Sequence, residues 1–308
     1  MILVTGGTGF IGRSLVRQLI TSGQEVRILL RPSKSSPRLP RGITVEAAVC
    51  SLLDERGLRA ALRGVDVVFH LAGTERLSSR AKLQDVDIRG TQILAGAAAQ
   101  AGIQRFITIS HLGADRNSAY PVLKAKGLAE RAIIQSGLPY TIIRSAVVYG
   151  PGDQFTTSIA RLLLSWPGPF LLPGDGTSLI QPLWIDDLIA AMLMTLEAPA
   201  MVNQTLSIGG METLTFRQVV EAIMEKIGVR RPLASFSPPY LRMLGLLLEQ
   251  FFHFPLSIYW LDYLAADRTT SLDALPRLFG ILPARFHTQL NYLHSHKRNP
   301  SLESSFNL

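Results

Sequence analysis

The chain has 308 residues, of which 47% are hydrophobic and 18% charged, so it can bury a large core and is not a disordered chain. Its single cysteine, Cys50, excludes a disulfide framework and a cysteine-based metal site, and we predict no metal. The net charge of +8 is concentrated in residues 1–80, which hold 12 Lys/Arg and 6 Asp/Glu. The acid-free run from Arg31 to Arg41 indicates either a solvated basic loop or a site for a phosphorylated ligand. Nucleic acid is not expected, because no aromatic residues interleave this run.

Strand and helix patterns alternate through the first half of the chain. Strand patterns lie at Ile2–Thr5, Glu25–Leu30, Ile43–Ala47, Val65–Leu71, Arg105–Ile109 and Tyr140–Ile143. Helical patterns lie at Ile11–Thr21, Asp54–Leu62, Gln84–Ala101 and Pro121–Ser136. This alternation predicts an α/β fold with a doubly wound parallel sheet of the Rossmann type. We expect residues 1–150 to form this domain, with parts of 178–210 packing back on it.

Beyond Gly150 the regular alternation of strand and helix patterns ends, because glycine and proline clusters interrupt the chain. One helix is predicted to begin near Asp186. Another is predicted at Thr215, where Thr215-Phe216-Arg217-Gln218 forms a capping box. We expect 151–293 to form a smaller, mostly helical substrate or docking region, and 294–308 to form a flexible tail.

A glycine-rich loop follows the first strand and opens the first helix. Its spacing is Gly6-x-x-Gly9-x-x-Gly12. Glycines allow a tight turn and a close approach of the backbone to a pyrophosphate, which binds at the helix N-terminus. The sequence therefore predicts a nicotinamide dinucleotide site. Its first contacts are expected from Gly6, Thr8, Gly9, Phe10, Ile11, Gly12 and Arg13.

Several motifs resemble one family. The glycine loop, TGGTGFIG from Thr5, is similar to that of the extended and atypical short-chain dehydrogenase/reductase superfamily, which includes NAD-dependent epimerases and dehydratases. The other matching segments are HLAG at 70–73, GLPYTIIR at 137–144, YGPGD at 149–153 and QPLWIDD at 181–187. The resemblance covers roughly residues 1–230. Within it, ISHLGA at 109–114 and the apolar C-terminal helices look most like the branch of NADPH-binding accessory subunits of respiratory complex I.

The resemblance implies further cofactor contacts. These are expected from Ser51, Leu71, Ala72, Gly73, Ser110, Lys126 and Val148. One departure concerns the adenine side, where the family often has Asp after the third strand and this chain has Cys50-Ser51.

The second strand bears on the choice between the two nicotinamide cofactors. An NAD-preferring site would place an acid about 20 residues after the loop to hold the ribose 2′-hydroxyl. This chain has Arg31 there, and a guanidinium binds a 2′-phosphate in a bidentate manner. Arg13, Ser33 and Lys34 are candidate assistants. We therefore predict NADP(H) in preference to NAD(H).

The family's catalytic pair is Tyr-x-x-x-Lys on a helix beside the nicotinamide. Tyr120 and Lys124 have that spacing literally. Lys126, however, lies at the family's usual eleven residues before the glycine of GLPYTIIR and has Glu130 four residues after it. In that register Val122 occupies the tyrosine position. A helical wheel also places Lys126 on the inward face and Lys124 on the polar face.

Three interpretations remain open. Tyr120 is the proton donor, with Lys126 on the ribose and Ser110 orienting a substrate carbonyl. Alternatively, another group such as His111 donates the proton, or the substrate needs no proton donor. In the third interpretation the protein binds NADP(H) without turnover.

Two functions follow from these interpretations. One is an oxidoreductase or epimerase-like enzyme acting on an apolar substrate. The other is a non-catalytic NADPH-binding accessory subunit docked on a membrane complex. The apolar segment from Tyr240 to Leu264 is too often interrupted by polar residues to span a bilayer, but it can face a membrane, a partner or a substrate. We expect a cytoplasmic protein, with peripheral membrane contact as an alternative.

Overall fold

The computed structural model describes residues 1–33, 45–74, 83–241, 243 and 258–294. It forms two compact units. Unit 1 consists of Met1–Ser145 and Leu188–Ser207, and unit 2 consists of Ala146–Asp187 and Ile208–Leu308.

The described strands and helices follow one another in this order. The strands are β1 (Ile2–Thr5), β2 (Val26–Leu30), β3 (Glu46–Val49), β4 (Val67–His70), β5 (Arg105–His111), β6 (Tyr140–Ser145), β7 (Val148–Tyr149), β8 (Phe170–Pro173), β9 (Leu179–Ile180), β10 (Leu183–Trp184), β11 (Gln204–Ile208), β12 (Leu214–Thr215) and β13 (Leu233–Phe236). The α-helices are α1 (Phe10–Thr21), α2 (Glu55–Ala61), α3 (Thr91–Gln100), α4 (Pro121–Gln135), α5 (Phe155–Ser165), α6 (Ile185–Glu197), α7 (Phe216–Ile227), α8 (Ile258–Tyr263), α9 (Ala274–Phe279) and α10 (Phe286–Gln289). A π-helix (Leu83–Gly90) precedes α3, and 3₁₀ turns lie at Pro199–Met201 and Leu290–Leu293.

Unit 1 is built around a seven-stranded sheet with the order β11-β6-β5-β4-β1-β2-β3. Strands β1 to β6 pair in parallel. The strand order reverses next to β1, and ligands of such sheets bind at this switch point, outside the carboxyl ends of the strands. Thr5 at the end of β1 pairs with His70 at the end of β4. The predicted Rossmann-type fold is confirmed.

The core of this unit forms because its parallel strands are apolar on both faces. All four residues of β1 are buried. Leu3, Val68 and Phe106 of the sheet pack with Leu58 of α2 and Leu94 of α3 in one hydrophobic cluster. This packing leaves the carboxyl ends of β1, β4 and β5 as the place where polar side chains collect.

The helical stretch predicted at Gln84–Ala101 is confirmed, but its first half is not an α-helix. That half is the π-helix Leu83–Gly90, and α3 begins only at Thr91. A π-helix has one more residue per hydrogen-bonded turn than an α-helix, and apolar periodicity does not reveal this difference over two turns. Asp87, which is buried, lies in this π-helix.

The third strand overlaps its prediction at residues 46 and 47, since the structure has β3 at Glu46–Val49. Residues 43 and 44 of the predicted strand lie outside the described residues.

Unit 2 contains a helical C-terminal region, as predicted, together with short strands that the sequence pattern did not indicate. These strands form the two-stranded sheets β10-β7, β12-β9 and β13-β8. The predicted capping box is confirmed: the Thr215 hydroxyl accepts a hydrogen bond from the Gln218 N–H at 3.1 Å, and Gln218 Oε1 accepts one from the Thr215 N–H at 2.8 Å. Helix α7 ends at Gly228 in the left-handed conformation, with φ 66°.

The apolar segment from Tyr240 to Leu264 is described only at its two ends. Leu241, Tyr259 and Leu264 are buried, whereas Tyr240 and Met243 are 62% and 57% exposed. Residues 242 and 244–257 lie outside the described part of the chain. Among the helices that the structure describes, none is long and apolar enough to cross a membrane.

Candidate functional site

The glycine loop lies between β1 and α1 at the sheet switch point. Gly6 has a positive φ of 70°, and its carbonyl oxygen accepts a hydrogen bond from the Gly9 N–H at 3.0 Å. A Cβ atom on Gly6 would lie 2.6 Å from the carbonyl carbon of Leu71, and one on Gly12 would lie 2.1 Å from the oxygen of Gly6. Both positions therefore require glycine.

The N-terminus of α1 is suited to a phosphate group. Gly9 is the N-cap residue and has no side chain with which to bond the first N–H groups of the helix. The first turn contains no acidic side chain among its described residues. Such a helix end offers free N–H donors and a partial positive charge to an anion. The remaining predicted loop contacts, Thr8, Phe10, Ile11 and Arg13, are all half-buried.

A buried chain of hydrogen bonds crosses the carboxyl ends of β1 and β4. His70 Nδ1 lies 2.7 Å from Thr5 Oγ1, and His70 Nε2 lies 2.8 Å from Thr91 Oγ1. Thr5 Oγ1 also accepts a hydrogen bond from the Ala72 N–H at 3.3 Å. Burial lowers the pKa of His70, the ammonium of Lys126 lowers it further and the carboxylate of Asp87 partly opposes both, so that the resulting pKa is about 3. His70 is therefore neutral at physiological pH. Its hydrogen bond to Thr5 links the end of β4 to the end of β1, the strand that precedes the glycine loop.

Lys126 forms an ion pair that the sequence analysis did not anticipate. Its Nζ lies 2.9 Å from Oδ1 of Asp87, whose side chain is 1% exposed. Oδ2 of Asp87 accepts a hydrogen bond from the Thr74 N–H at 2.9 Å. A Cβ atom on Gly73 would lie 2.8 Å from Lys126 Nζ. Gly73 therefore makes room for the pair.

Ser110 lies in the next-to-last position of β5, and its side chain is buried. In the described part of the chain, its hydroxyl has no hydrogen-bond partner. Ser110, Lys126 and His70 line the same small cleft of unit 1. A buried hydroxyl without a partner is costly in a folded protein unless a ligand or water completes it. The glycine loop and the bare helix end fit the pyrophosphate of a dinucleotide, and the Ser110 hydroxyl is a polar group that a ligand at this small cleft would complete.

The structure places the alternative catalytic residues as follows. Tyr120 is the N-cap residue of α4, half-buried and in an extended conformation with φ −86° and ψ 119°. His111 is the half-buried last residue of β5. Val122, in the tyrosine position of the Lys126 register, is 4% exposed, and Lys124 is exposed. The roles of Tyr120 and His111 stay predictions.

The remaining predicted contacts are spread over both units. Arg31 and Ser33 are exposed directly after β2, whereas Lys34 lies outside the described residues. Ser51 is half-buried, and its Oγ accepts a hydrogen bond from the Leu53 N–H at 3.2 Å. Leu71 and Ala72 are half-buried in unit 1, and Val148 is half-buried in β7 of unit 2.

Asp87 and the two threonines that bond His70 were missed by sequence reasoning. The one available signal was the position of Asp87, an acid within a stretch assigned to a helix that packs on the sheet. A buried acid in such a place needs a partner, but the sequence does not say which cation provides it.

Comparisons with known proteins agree with the class of cofactor that the glycine loop indicates. A model of an NAD(P)H-binding family matches residues 6–158, and a model of the NAD dependent epimerase/dehydratase family matches residues 112–209. The fold and the glycine loop define an NAD(P)-binding protein. The chain belongs to the NAD(P)-binding, epimerase/dehydratase-like short-chain dehydrogenase/reductase superfamily, as its motifs indicated.

Two relatives and one solved structure are informative. NADH dehydrogenase (ubiquinone) 1 alpha subcomplex subunit 9 of Arabidopsis thaliana is 30% identical over 73% of this chain, which spans only 57% of that relative's length. Ceramide reductase of Caulobacter vibrioides is 27% identical over 92% of this chain and 83% of that protein. The structure of MoeE5 in complex with UDP-glucose and NAD has a TM-score of 0.75 at 23% identity, covering 97% of this chain and 99% of that one. This last likeness shows the fold.

Proposed function

We propose that the chain is an NADP(H)-dependent oxidoreductase that acts on an apolar substrate. The observation that carries the proposal is the buried Ser110 hydroxyl, which has no partner among the described residues and lines one cleft with Lys126. A folded protein keeps such a group where a ligand or an ordered water completes its hydrogen bonding, and the proposal assigns this place to a ligand. The matching NAD(P)H-binding family supports a nicotinamide cofactor as part of that ligand.

Arg31 supports NADP(H) over NAD(H). It is exposed at the end of β2, the strand whose end holds an acid in sites that bind the ribose 2′-hydroxyl of NAD. A guanidinium at this place would attract a 2′-phosphate, whereas a carboxylate would repel it.

The proposed roles follow from the chemistry of each side chain. The nicotinamide, when bound, accepts or supplies a hydride. Lys126 donates hydrogen bonds to the nicotinamide ribose, and Ser110 donates one to the carbonyl oxygen of the substrate. Tyr120 or His111 exchanges the proton at that oxygen.

An apolar substrate is supported by composition and by one relative. Only 18% of the residues are charged, and the relative from Caulobacter is named for a ceramide, which is a lipid.

The test is reduction of carbonyl compounds by the purified protein. NADPH oxidation is followed at 340 nm with ketones of increasing alkyl length. We expect kcat/KM to rise with chain length and to fall about 100-fold in Ser110→Ala, while NADPH affinity changes little. Tyr120→Phe and His111→Gln identify the proton donor, because only the variant lacking it loses kcat with KM preserved. Tight NADPH binding without turnover of any carbonyl compound would contradict the enzyme proposal.

A second candidate is a non-catalytic accessory subunit that holds NADPH and docks on a membrane complex. It is favoured by the buried Val122 in the tyrosine position of the Lys126 register and by the similarity to a subunit of NADH dehydrogenase. Flotation with anionic vesicles at low and high salt tests membrane contact, because attraction of this cationic chain to such lipids is weakened by salt. Flotation at low salt, with no carbonyl reduction, is the result expected of this candidate.

A further inference from the structure

The buried ion pair between Asp87 and Lys126 carries an inference beyond cofactor binding. The side chain of Asp87 is 1% exposed and that of Lys126 is 16% exposed. A buried carboxylate is retained only where opposite charge and hydrogen bonds stabilise it. Here the ammonium of Lys126 supplies the opposite charge, with Nζ 2.9 Å from Asp87 Oδ1. The Thr74 N–H donates a hydrogen bond to Asp87 Oδ2 at 2.9 Å.

The pair changes the charge that this cleft presents to a ligand. An unpaired Lys126 would present a full positive charge in a partly desolvated site, where charges interact more strongly than in water. With Asp87 beside it, the two charges sum to zero. The two charges act in opposite directions on His70, because Lys126 lowers the pKa of His70 and Asp87 raises it.

The two redox forms of the proposed cofactor differ in charge at the reacting ring. The nicotinamide of NADP⁺ carries one positive charge, and the dihydronicotinamide of NADPH is neutral. A lone ammonium beside the ring would repel the oxidised form and leave the reduced form unaffected. A neutral ion pair removes this difference.

We propose that Asp87 determines the relative affinity of the protein for oxidised and reduced cofactor, by neutralising Lys126 beside the nicotinamide. Asp87 thus acts as a specificity-determining residue that keeps NADP⁺ binding competitive with NADPH binding. The inference rests on the proposed function, because it requires the nicotinamide ring to lie beside Lys126.

The test is separate titration of the purified protein with NADP⁺ and with NADPH, by calorimetry. The quantity of interest is the ratio of Kd for NADP⁺ to Kd for NADPH. In Asp87→Asn we expect this ratio to rise about tenfold, since the lone ammonium repels only the oxidised ring.

Two further variants keep the test valid even if Asp87→Asn does not fold. Lys126→Met leaves the carboxylate without its cation, so the ratio is expected to fall below that of the wild type. Asp87→Asn combined with Lys126→Met restores a ratio near that of the wild type. The matched control is Asp85→Asn, because Asp85 lies in the same π-helix but is 45% exposed and pairs with Arg89. Its ratio is expected to stay unchanged.

The outcomes separate this inference from the proposed function. The inference is wrong if wild type, Asp87→Asn and Lys126→Met all bind NADPH and share the same ratio of Kd for NADP⁺ to Kd for NADPH. That result would leave the proposal of cofactor binding intact. A wild-type protein that binds neither form would overturn the proposed function, and the inference with it.

Discussion

Gly12 in the first turn of α1 lies directly against the carbonyl oxygen of Gly6, so close that a Cβ atom on Gly12 would be 2.1 Å from that oxygen. The atom in contact is backbone, which cannot rotate away as a side chain does. The contact therefore holds the helix end against the loop that follows β1.

Gly12→Ala is expected to weaken NADPH binding at least tenfold and to lower the free energy of unfolding by about 2 kcal/mol, because the helix end must move away from the loop. Titration with NADPH and chemical denaturation measure both effects. Gly96→Ala is the matched control, since a Cβ atom there meets nothing within 4 Å. That change is expected to stabilise α3 by roughly 0.5–1 kcal/mol and to leave NADPH binding unchanged. Equal NADPH affinity in Gly12→Ala and wild type would contradict the assignment of the loop.

Lys126 and Lys124 are expected to differ sharply although they are two residues apart. Lys126→Ala removes the proposed ribose contact and leaves Asp87 without its ion pair, so we expect NADPH affinity to fall about tenfold and the protein to be destabilised. Lys124 is exposed, and Lys124→Ala is expected to change neither quantity. A larger loss of affinity in Lys124→Ala would show that the literal Tyr-x-x-x-Lys spacing is the correct register.

Arg31 is expected to determine the preference for NADPH over NADH. One charge-assisted bidentate contact is worth about 1.5–3 kcal/mol, so wild type is expected to bind NADPH roughly 10- to 150-fold more tightly than NADH. Arg31→Asp is expected to abolish or reverse this preference. Arg17→Asp, which changes an exposed side chain two turns into α1, serves as the control for net charge. Equal affinity of the wild type for the two cofactors would exclude the proposed role of Arg31.

His70 is expected to make stability depend on pH. Its pKa is about 3 in the folded protein and about 6.5 when unfolded. As the pH falls below 6.5 the unfolded chain binds a proton that the folded protein excludes, so stability present above pH 6.5 is lost progressively down to pH 3. Between pH 7 and pH 5 this loss amounts to about 2 kcal/mol.

The variant for this prediction is His70→Asn, which does not titrate in this range. Urea denaturation at pH 7 and pH 5 is expected to show a smaller loss of stability in the variant than in wild type. Identical losses would mean that His70 accepts a proton in the folded protein.

Local sequence was sufficient wherever a structural feature depends on neighbouring residues. The glycine loop was predictable because a backbone that turns tightly and approaches a phosphate closely needs glycine at fixed spacing. The capping box at Thr215 was predictable for the same reason, since its two hydrogen bonds join residues three positions apart. The alternation of strands and helices likewise indicated the parallel sheet of unit 1.

Tertiary structure alone decided which buried polar groups meet. Thr5 and His70 are 65 residues apart in sequence but hydrogen-bonded, because the sheet places the ends of β1 and β4 side by side. Asp87 pairs with Lys126 because a π-helix and α4 pack together, and helical periodicity predicted neither the π-helix nor the partner. The sequence by itself thus determined the class of fold and the place of the cofactor loop, while the charge inside the cleft was decided by long-range packing, which no local pattern encodes.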